Sequence, residues 1–195
     1  MVKIVAYHGT ATKNEQSIIE NGFSLSTGTE NEGWLGDGVY FFCEGVPPEP
    51  FVSAKKWAIV EAWDNKNYVY KYSDYSILEA IISVEPNYFL DLTTKDGLEI
   101  FNYLRDKYVE NTRKAKRKLI SGDYKDGHII NDAVENEISP DFKVVRGNFY
   151  IKLTKEERIY NLQFRTPNCT ILAVRDANCI KDIAIFEQGN INKII

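Results

Sequence analysis

Two short segments carry the side chains best suited to chemistry. The first is Tyr7-His8-Gly9-Thr10. A histidine at a strand end can donate or accept a hydrogen bond at neutral pH. The glycine after it lets a ligand approach the backbone closely. The second is Gly36-Asp37-Gly38-Val39-Tyr40-Phe41-Phe42. Its glycines permit a tight turn into a strand whose alternation puts Tyr40 and Phe42 on one face and Val39 and Phe41 on the other. A tyrosine emerging beside a glycine-rich loop offers a stacking platform for a flat ring. Each segment also has a purely architectural explanation, with His8 satisfying backbone groups and Tyr40 acting as a core aromatic.

Other residues offer weaker signals. Arg113-Lys114-Ala115-Lys116-Arg117-Lys118 is a dense cationic run, which suits a phosphate backbone or a solvated helix face. Arg165 and Arg175 are planar donors suited to a pyrophosphate or to surface ion pairs. His128, beside Gly127, reads as structural. The three cysteines, Cys43, Cys169 and Cys179, are an odd number without metal-type spacing, which fits reduced thiols in a cytoplasmic protein. With only two histidines, His8 and His128, far apart in the chain, no metal site is expected. No Gly-x-Gly-x-x-Gly opens a helix and no phosphate-binding loop of the Walker type is present, which excludes the dehydrogenase manner of holding a dinucleotide.

The elements that must position these residues follow from patterning. The 195 residues suit one domain. Apolar residues form 44% and charged residues 27% of the chain, enough for a core and a solvated surface. A net charge of −4 argues against a surface given over wholly to nucleic acid. No apolar run approaches a membrane span, and the first residues turn polar too soon for a secretory leader. Val2 to Tyr7 reads as a strand. A helix over 13–20 follows, with capping-box spacing at Thr12 and Glu15 and a stop at Asn21-Gly22. The glycine-rich stretch from Gly22 to Gly36 reads as a loop with Trp34 at its tip. Val39 to Phe42 is a second strand, and Phe51, Ala54, Ala58 and Ala62 line one face of a helix near 51–63. Strands are expected at Ile77–Val84, Tyr88–Leu92, Phe142–Val145, Asn148–Leu153, Thr170–Val174 and Ile183–Phe186. Helices are expected from Thr94 to about Lys118 and from Ile129 to Ile138. Strands at both ends with helices between them favour an α+β fold over a doubly wound parallel sheet. The chain then reads as a single domain over 1–195 with a mainly helical insertion around 94–139.

The order of these pieces resembles the ADP-ribosyltransferase superfamily, on its poly(ADP-ribose) polymerase and diphtheria-toxin side. The matching pieces are His8-Gly9-Thr10, Ile18-Ile19-Glu20-Asn21-Gly22-Phe23, Gly38-Val39-Tyr40-Phe41 and Ser53-Ala54-Lys55-Lys56-Trp57-Ala58. Later pieces, Val145-Arg146-Gly147-Asn148-Phe149 and Ile171-Leu172-Ala173-Val174-Arg175-Asp176 followed by Cys179-Ile180, are similar to bacterial members. The resemblance covers about two thirds of the chain and leaves the middle without a motif.

What the resemblance implies is an ADP-ribosyltransferase-like split β-sheet core with flanking helices. It further implies use of NAD as co-substrate and transfer of ADP-ribose to a protein or nucleic-acid acceptor, in a toxin or conflict role. His8 would bind the adenosine ribose, Gly9 would offer its backbone to the nicotinamide amide, and Thr10 belongs to the same matched piece. Tyr40 would stack on nicotinamide. A second aromatic in the next helix often completes the sandwich, and Trp57 stands one residue past that position. The third site position, a glutamate in many members, aligns with Ile171. Gln163, in the preceding segment, has the more suitable hydrogen-bonding chemistry. Arg165 would serve the pyrophosphate. The candidate catalytic set is therefore His8 and Tyr40 with Gln163 or Ile171. The alternative is a module that binds NAD or ADP-ribose without chemistry. RNA 2′-phosphotransferases share a related fold and NAD, but their arginine-rich motifs are absent near His8 and Tyr40.

Overall fold

The computed structural model describes residues 1–25, 33–114, 126–139 and 141–193. The chain opens with β1 (Val2–Ala11), α1 (Thr12–Asn21), β2 (Val39–Cys43) and α2 (Pro50–Ala62). A small hairpin, β3 (Trp63–Asp64) and β4 (Val69–Tyr70), leads into β5 (Asp74–Val84) and β6 (Phe89–Asp91). Then come α3 (Lys95–Lys114), α4 (Asp126–Glu135), β7 (Val144–Phe149), α5 (Lys155–Ile159), β8 (Cys169–Val174) and β9 (Ile180–Asn190). Seven strands form one sheet in the order β6-β7-β8-β2-β1-β5-β9. The pairing is antiparallel except between β6 and β7. A largely antiparallel sheet with helices packed on it is the α+β architecture expected from the order of elements.

Strand alternation separates two packing layers. Phe42, Ile77, Val145, Ile171 and Ala173 face a large cluster with Ala54, Ala58 and Ala62 of α2, Phe101 and Leu104 of α3, and Ile129, Ile130 and Ala133 of α4. Val39, Phe41, Ala80, Ile82, Leu172 and Val174 face a smaller cluster closed by Cys179 and Ile180. The alanines of α2 are fully buried, so this helix lies close on the sheet. Among the described residues no helix is long and apolar enough to cross a membrane.

The sheet has a weak seam. The β1–β5 ladder runs the length of β1, from Val2 opposite Val84 to Ala11 opposite Tyr75. Between β1 and β2 the register holds only at Ala6–Cys43 and Tyr7–Phe42. Beyond Tyr7, β1 is laddered to β5 alone.

Several local details differ from the sequence reading. Thr12 does not cap α1: the N-cap is Ala11, with no side-chain cap. Thr12 Oγ1 instead accepts from the buried Ser76 hydroxyl at 3.0 Å, so a tertiary partner outcompetes the local one. The stop at Gly22 is observed, with φ +78° and its N–H donated to Ile18 O. The two strands read on either side of Gly147 are one strand, β7. The β3–β4 hairpin and α5 were not anticipated. The two expected middle helices correspond to α3 and α4, both between β6 and β7. Of the cationic run, Arg113 and Lys114 end α3, and the rest lies outside the described residues.

The reciprocal capping box is found at α5. Glu157 N–H donates to Thr154 Oγ1, and Thr154 N–H donates to the Glu157 carboxylate. Thr154→Ala removes the acceptor for a first-turn amide and is predicted to lower unfolding free energy by about 1 kcal/mol, measured by urea denaturation. An unchanged midpoint would contradict the role given to this cap.

Candidate functional site

Gly9 lies against α2. A Cβ built at Gly9 would stand 2.0 Å from Ala54 O and 3.1 Å from the Ala58 methyl. The glycine and the two alanines together let strand and helix touch, and no other residue fits at position 9 without moving backbone. Ser53, one residue before Ala54, is buried with its hydroxyl unpartnered among the described residues. An orphan buried hydroxyl carries a desolvation cost that a ligand amide or hydroxyl would relieve.

His8 occupies the seam where the β1–β2 ladder ends. Its Nδ1 is 2.8 Å from Tyr40 O. A carbonyl oxygen can only accept, so Nδ1 carries the proton and Nε2 of the neutral ring is left as an acceptor. Burial holds the imidazole below its ordinary pKa, against the opposing pull of the bond to Tyr40. The ring meets Phe23 and Phe41 edge-on, with centroids 5.0 and 5.6 Å away. The turn at Gly22 is what delivers Phe23 to this contact. His8 therefore packs on the Phe41 side of the sheet, while the Tyr40 side chain leaves on the other. The two residues are joined through the Tyr40 backbone, not ring to ring.

The Tyr40 phenol is fixed by the loop before β2. It donates to Gly36 O at 2.6 Å and accepts from Leu35 N–H at 2.8 Å, and burial pushes its pKa up. The loop is clamped in turn: Asp37 N–H donates to Asn131 Oδ1 at 3.0 Å, and Arg175 Nη1 reaches the same oxygen at 2.6 Å. Gly36 and Gly38 hold φ at +84° and +133°, which favours glycine at both positions. Arg175, one candidate for a pyrophosphate, is engaged in this clamp. The Trp34 ring sits 5.9 Å from Tyr40 and 5.8 Å from Trp57, edge-on to both. It bridges the two rings that the resemblance pairs around nicotinamide.

Trp57 borders two adjoining clefts. One, of about 400 Å³, is lined by His8, Gly9, Thr10, Glu61 and Tyr72 as well as Trp57. The other, of about 620 Å³, is lined by Trp34, Tyr150, Arg158, Gln163 and Phe164 as well as Trp57. Arg158 lies over the indole, 5.2 Å from its centroid, and pairs with Glu61 at 2.5 Å. Lys56, the residue before Trp57, turns instead to a groove beside Trp63 and Tyr70. The helical offset thus brings Trp57, not its neighbour, to the clefts.

His8, Gly9, Thr10 and Trp57 are thereby brought together, and Gln163 joins them across Trp57. Ile171 pairs with Phe42 and Gly147 in the middle of the sheet and is 1% exposed, lining neither cleft. Arg165 is exposed and also lines neither. Sequence reasoning passed over Glu61, Tyr72, Asn131, Tyr150, Arg158 and Phe164. Glu61 had a readable signal, since it lies four residues after Trp57 on one helical face. Asn131 reaches Asp37 from 94 positions away and had none.

No family model matches the chain. Over 164 residues it is 29% identical to an uncharacterized protein of Methanocaldococcus jannaschii, covering 82% of this chain and 71% of the relative.

A histidine held neutral in the fold has a thermodynamic signature. Its folded pKa lies below the unfolded value of about 6.5, so the unfolded state takes up the proton first as pH falls. Stability is therefore full above that pH and declines below it, until the folded ring also protonates. Relative to His8→Asn, the wild type is predicted to lose up to about 1.4 kcal/mol per pH unit below about pH 6.5. Parallel urea profiles for the two proteins between pH 5 and 7 would contradict the half-buried, neutral imidazole.

Proposed function

We propose that the chain is an NAD-dependent mono-ADP-ribosyltransferase, a glycosyltransferase that modifies a macromolecular acceptor. The observation that carries this reading is the His8 imidazole at the β1–β2 seam, bonded to Tyr40 O and lining a cleft with Gly9, Thr10 and Trp57. Its Nε2 is an acceptor suited to a ribose hydroxyl. Ser53 offers a buried, unpartnered hydroxyl on the helix packed over Gly9. The restricted ladder between β1 and β2 suits an ADP-ribosyltransferase-like split sheet.

In this reading NAD enters the cleft at His8 and crosses Trp57 towards Gln163. The bond between nicotinamide nitrogen and ribose C1′ breaks with its electron pair leaving on nicotinamide. A lone pair of the acceptor then bonds C1′, and the acceptor proton passes to solvent. Catalysis comes from orienting the reactants and sheltering the cationic sugar. The Ile171 side chain offers no polar atom for this and is packed in the core between Phe42 and Gly147 of the neighbouring strands, so we assign the ribose contact to Gln163. Arg165 keeps a place only as a surface donor to the pyrophosphate. Trp34 must shift from between Tyr40 and Trp57 for a nicotinamide ring to lie there.

One observation favours a second reading, a module that binds NAD or ADP-ribose without chemistry: the aligned third position is a sealed aliphatic residue. Calorimetry with NAD and a nicotinamide-release assay separate the two. The transferase reading predicts release and labelling of lysate components from labelled NAD. His8→Ala and Tyr40→Ala should each lower the rate at least tenfold. Gln163→Ala should lower it about 100-fold, the scale of losing one transition-state hydrogen bond, and Ile171→Val should have little effect. Unchanged rates in both His8→Ala and Tyr40→Ala would sink the site assignment, and binding without release would favour the module.

A further inference from the structure

Beyond Trp34, Trp57 and Gln163, which the NAD reading already uses, the wider cleft has Tyr150, Lys152 and Phe164 on its wall. Four aromatic rings line it, those of Trp34, Trp57, Tyr150 and Phe164, together with the Gln163 amide and the cations Lys152 and Arg158. No carboxylate is among its lining residues. Arg158 is neutralised by Glu61. Lys152 is bonded to the neutral Asn161 side-chain oxygen and makes no ion pair among the described residues. Glu61 at Arg158 and Glu157 behind Tyr150 balance the two cations, so Lys152 acts as a single donor at the cleft wall.

The rings are held in place. The Tyr150 hydroxyl donates to Glu157 Oε1 at 2.8 Å, and Glu157 belongs to the α5 capping box. The Phe164 ring stands against Tyr150 at 87°, with centroids 5.1 Å apart. Phe164 is nonetheless 57% exposed, so an aromatic surface is presented to solvent at the cleft mouth. Aromatic surface for stacking at Tyr150 and Phe164, with the Lys152 ammonium, which makes no ion pair among the described residues, for a phosphate, is chemistry suited to single-stranded nucleic-acid binding. A base in a duplex has its faces already stacked and cannot enter.

We propose that this cleft is the acceptor subsite and that it takes an unpaired nucleobase, making a single-stranded nucleic acid the acceptor. The inference rests on the transferase reading, in which C1′ of the nicotinamide ribose lies beside Trp57 and Gln163. An N–H nitrogen of the base, in the ring or exocyclic, supplies the lone pair to C1′ and loses its proton to solvent as the bond to nicotinamide breaks with its electron pair leaving on nicotinamide.

The test uses the full chain and fluorescein-labelled mixed-sequence single strands of about 12 nucleotides, one DNA and one RNA, read by anisotropy. Phe164→Ala should weaken binding about tenfold, the scale of one lost stack, with the urea midpoint unchanged. Lys152→Ala should weaken it severalfold and flatten the salt dependence. A blunt duplex of the same sequence should bind at least tenfold more weakly, and labelled NAD should mark the single strand. Single strands that do not bind, or that bind Phe164→Ala as well as wild type, overturn the proposal. So does label found on lysate protein and absent from the strands. Calorimetry with NAD on the same samples keeps the two readings apart. Retained NAD binding without strand binding overturns only the acceptor assignment, whereas absent NAD binding overturns the transferase reading and the acceptor role with it.

Discussion

Where β1 loses its ladder to β2, one imidazole takes over. Tyr40 O would be an unsatisfied acceptor at that seam, and His8 Nδ1–H satisfies it at 2.8 Å. The bond does two things at once. It ties together the two halves of a sheet that otherwise share only Ala6–Cys43 and Tyr7–Phe42. It fixes the tautomer, so that Nε2 is left to accept. The residue itself borders the cleft that Gly9, Thr10 and Trp57 also line. Burial keeps the ring neutral, so the acceptor persists at physiological pH.

The remaining elements can be understood as support for this seam. Asn131 of α4 and Arg175 after β8 grip the Gly36–Gly38 loop, which grips the Tyr40 hydroxyl. The helices between β6 and β7 thereby reach the site from the far end of the sheet. Trp34 joins Tyr40 to Trp57 by edge-on contacts and completes an aromatic wall between the two clefts. Arg158 extends the wall by covering Trp57 while bonded to Glu61. The site is built from packed rings and backbone bonds more than from ion pairs, and this suits orientation of a substrate better than strong acid–base work.

Much of this was legible in the sequence, for identifiable reasons. The strands β1, β2, β5 and β8 are dense apolar runs, and α2 declares itself through alanines at helical spacing. His8, Gly9 and Tyr40 stood out because glycine beside a strand has few uses other than close approach. The failures share a cause as well. Thr12 looked like a cap, but Ser76 claimed its hydroxyl from across the fold. Trp57 was one residue off the expected spacing, and only the helix phase shows that it, and not Lys56, turns to the clefts. Alignment pointed to Ile171 and side-chain chemistry to Gln163, and the sequence could not show how their surroundings differ: one is sealed within the sheet, the other stands at a cleft wall. Long-range partners such as Asn131 leave no local pattern.

The central claim is that His8 presents a neutral Nε2 acceptor to the ribose of NAD. Nitrogen-15 NMR of histidine-labelled protein, with His8→Asn used for assignment, tests it most directly. The account predicts that in the free protein at pH 7 the His8 Nδ1 signal is protonated and the Nε2 signal unprotonated. On titration with NAD the Nε2 signal shifts as it takes a hydrogen bond, while Nδ1 stays bonded to Tyr40. A reversed tautomer, or a His8 spectrum unmoved at saturating NAD, would contradict it.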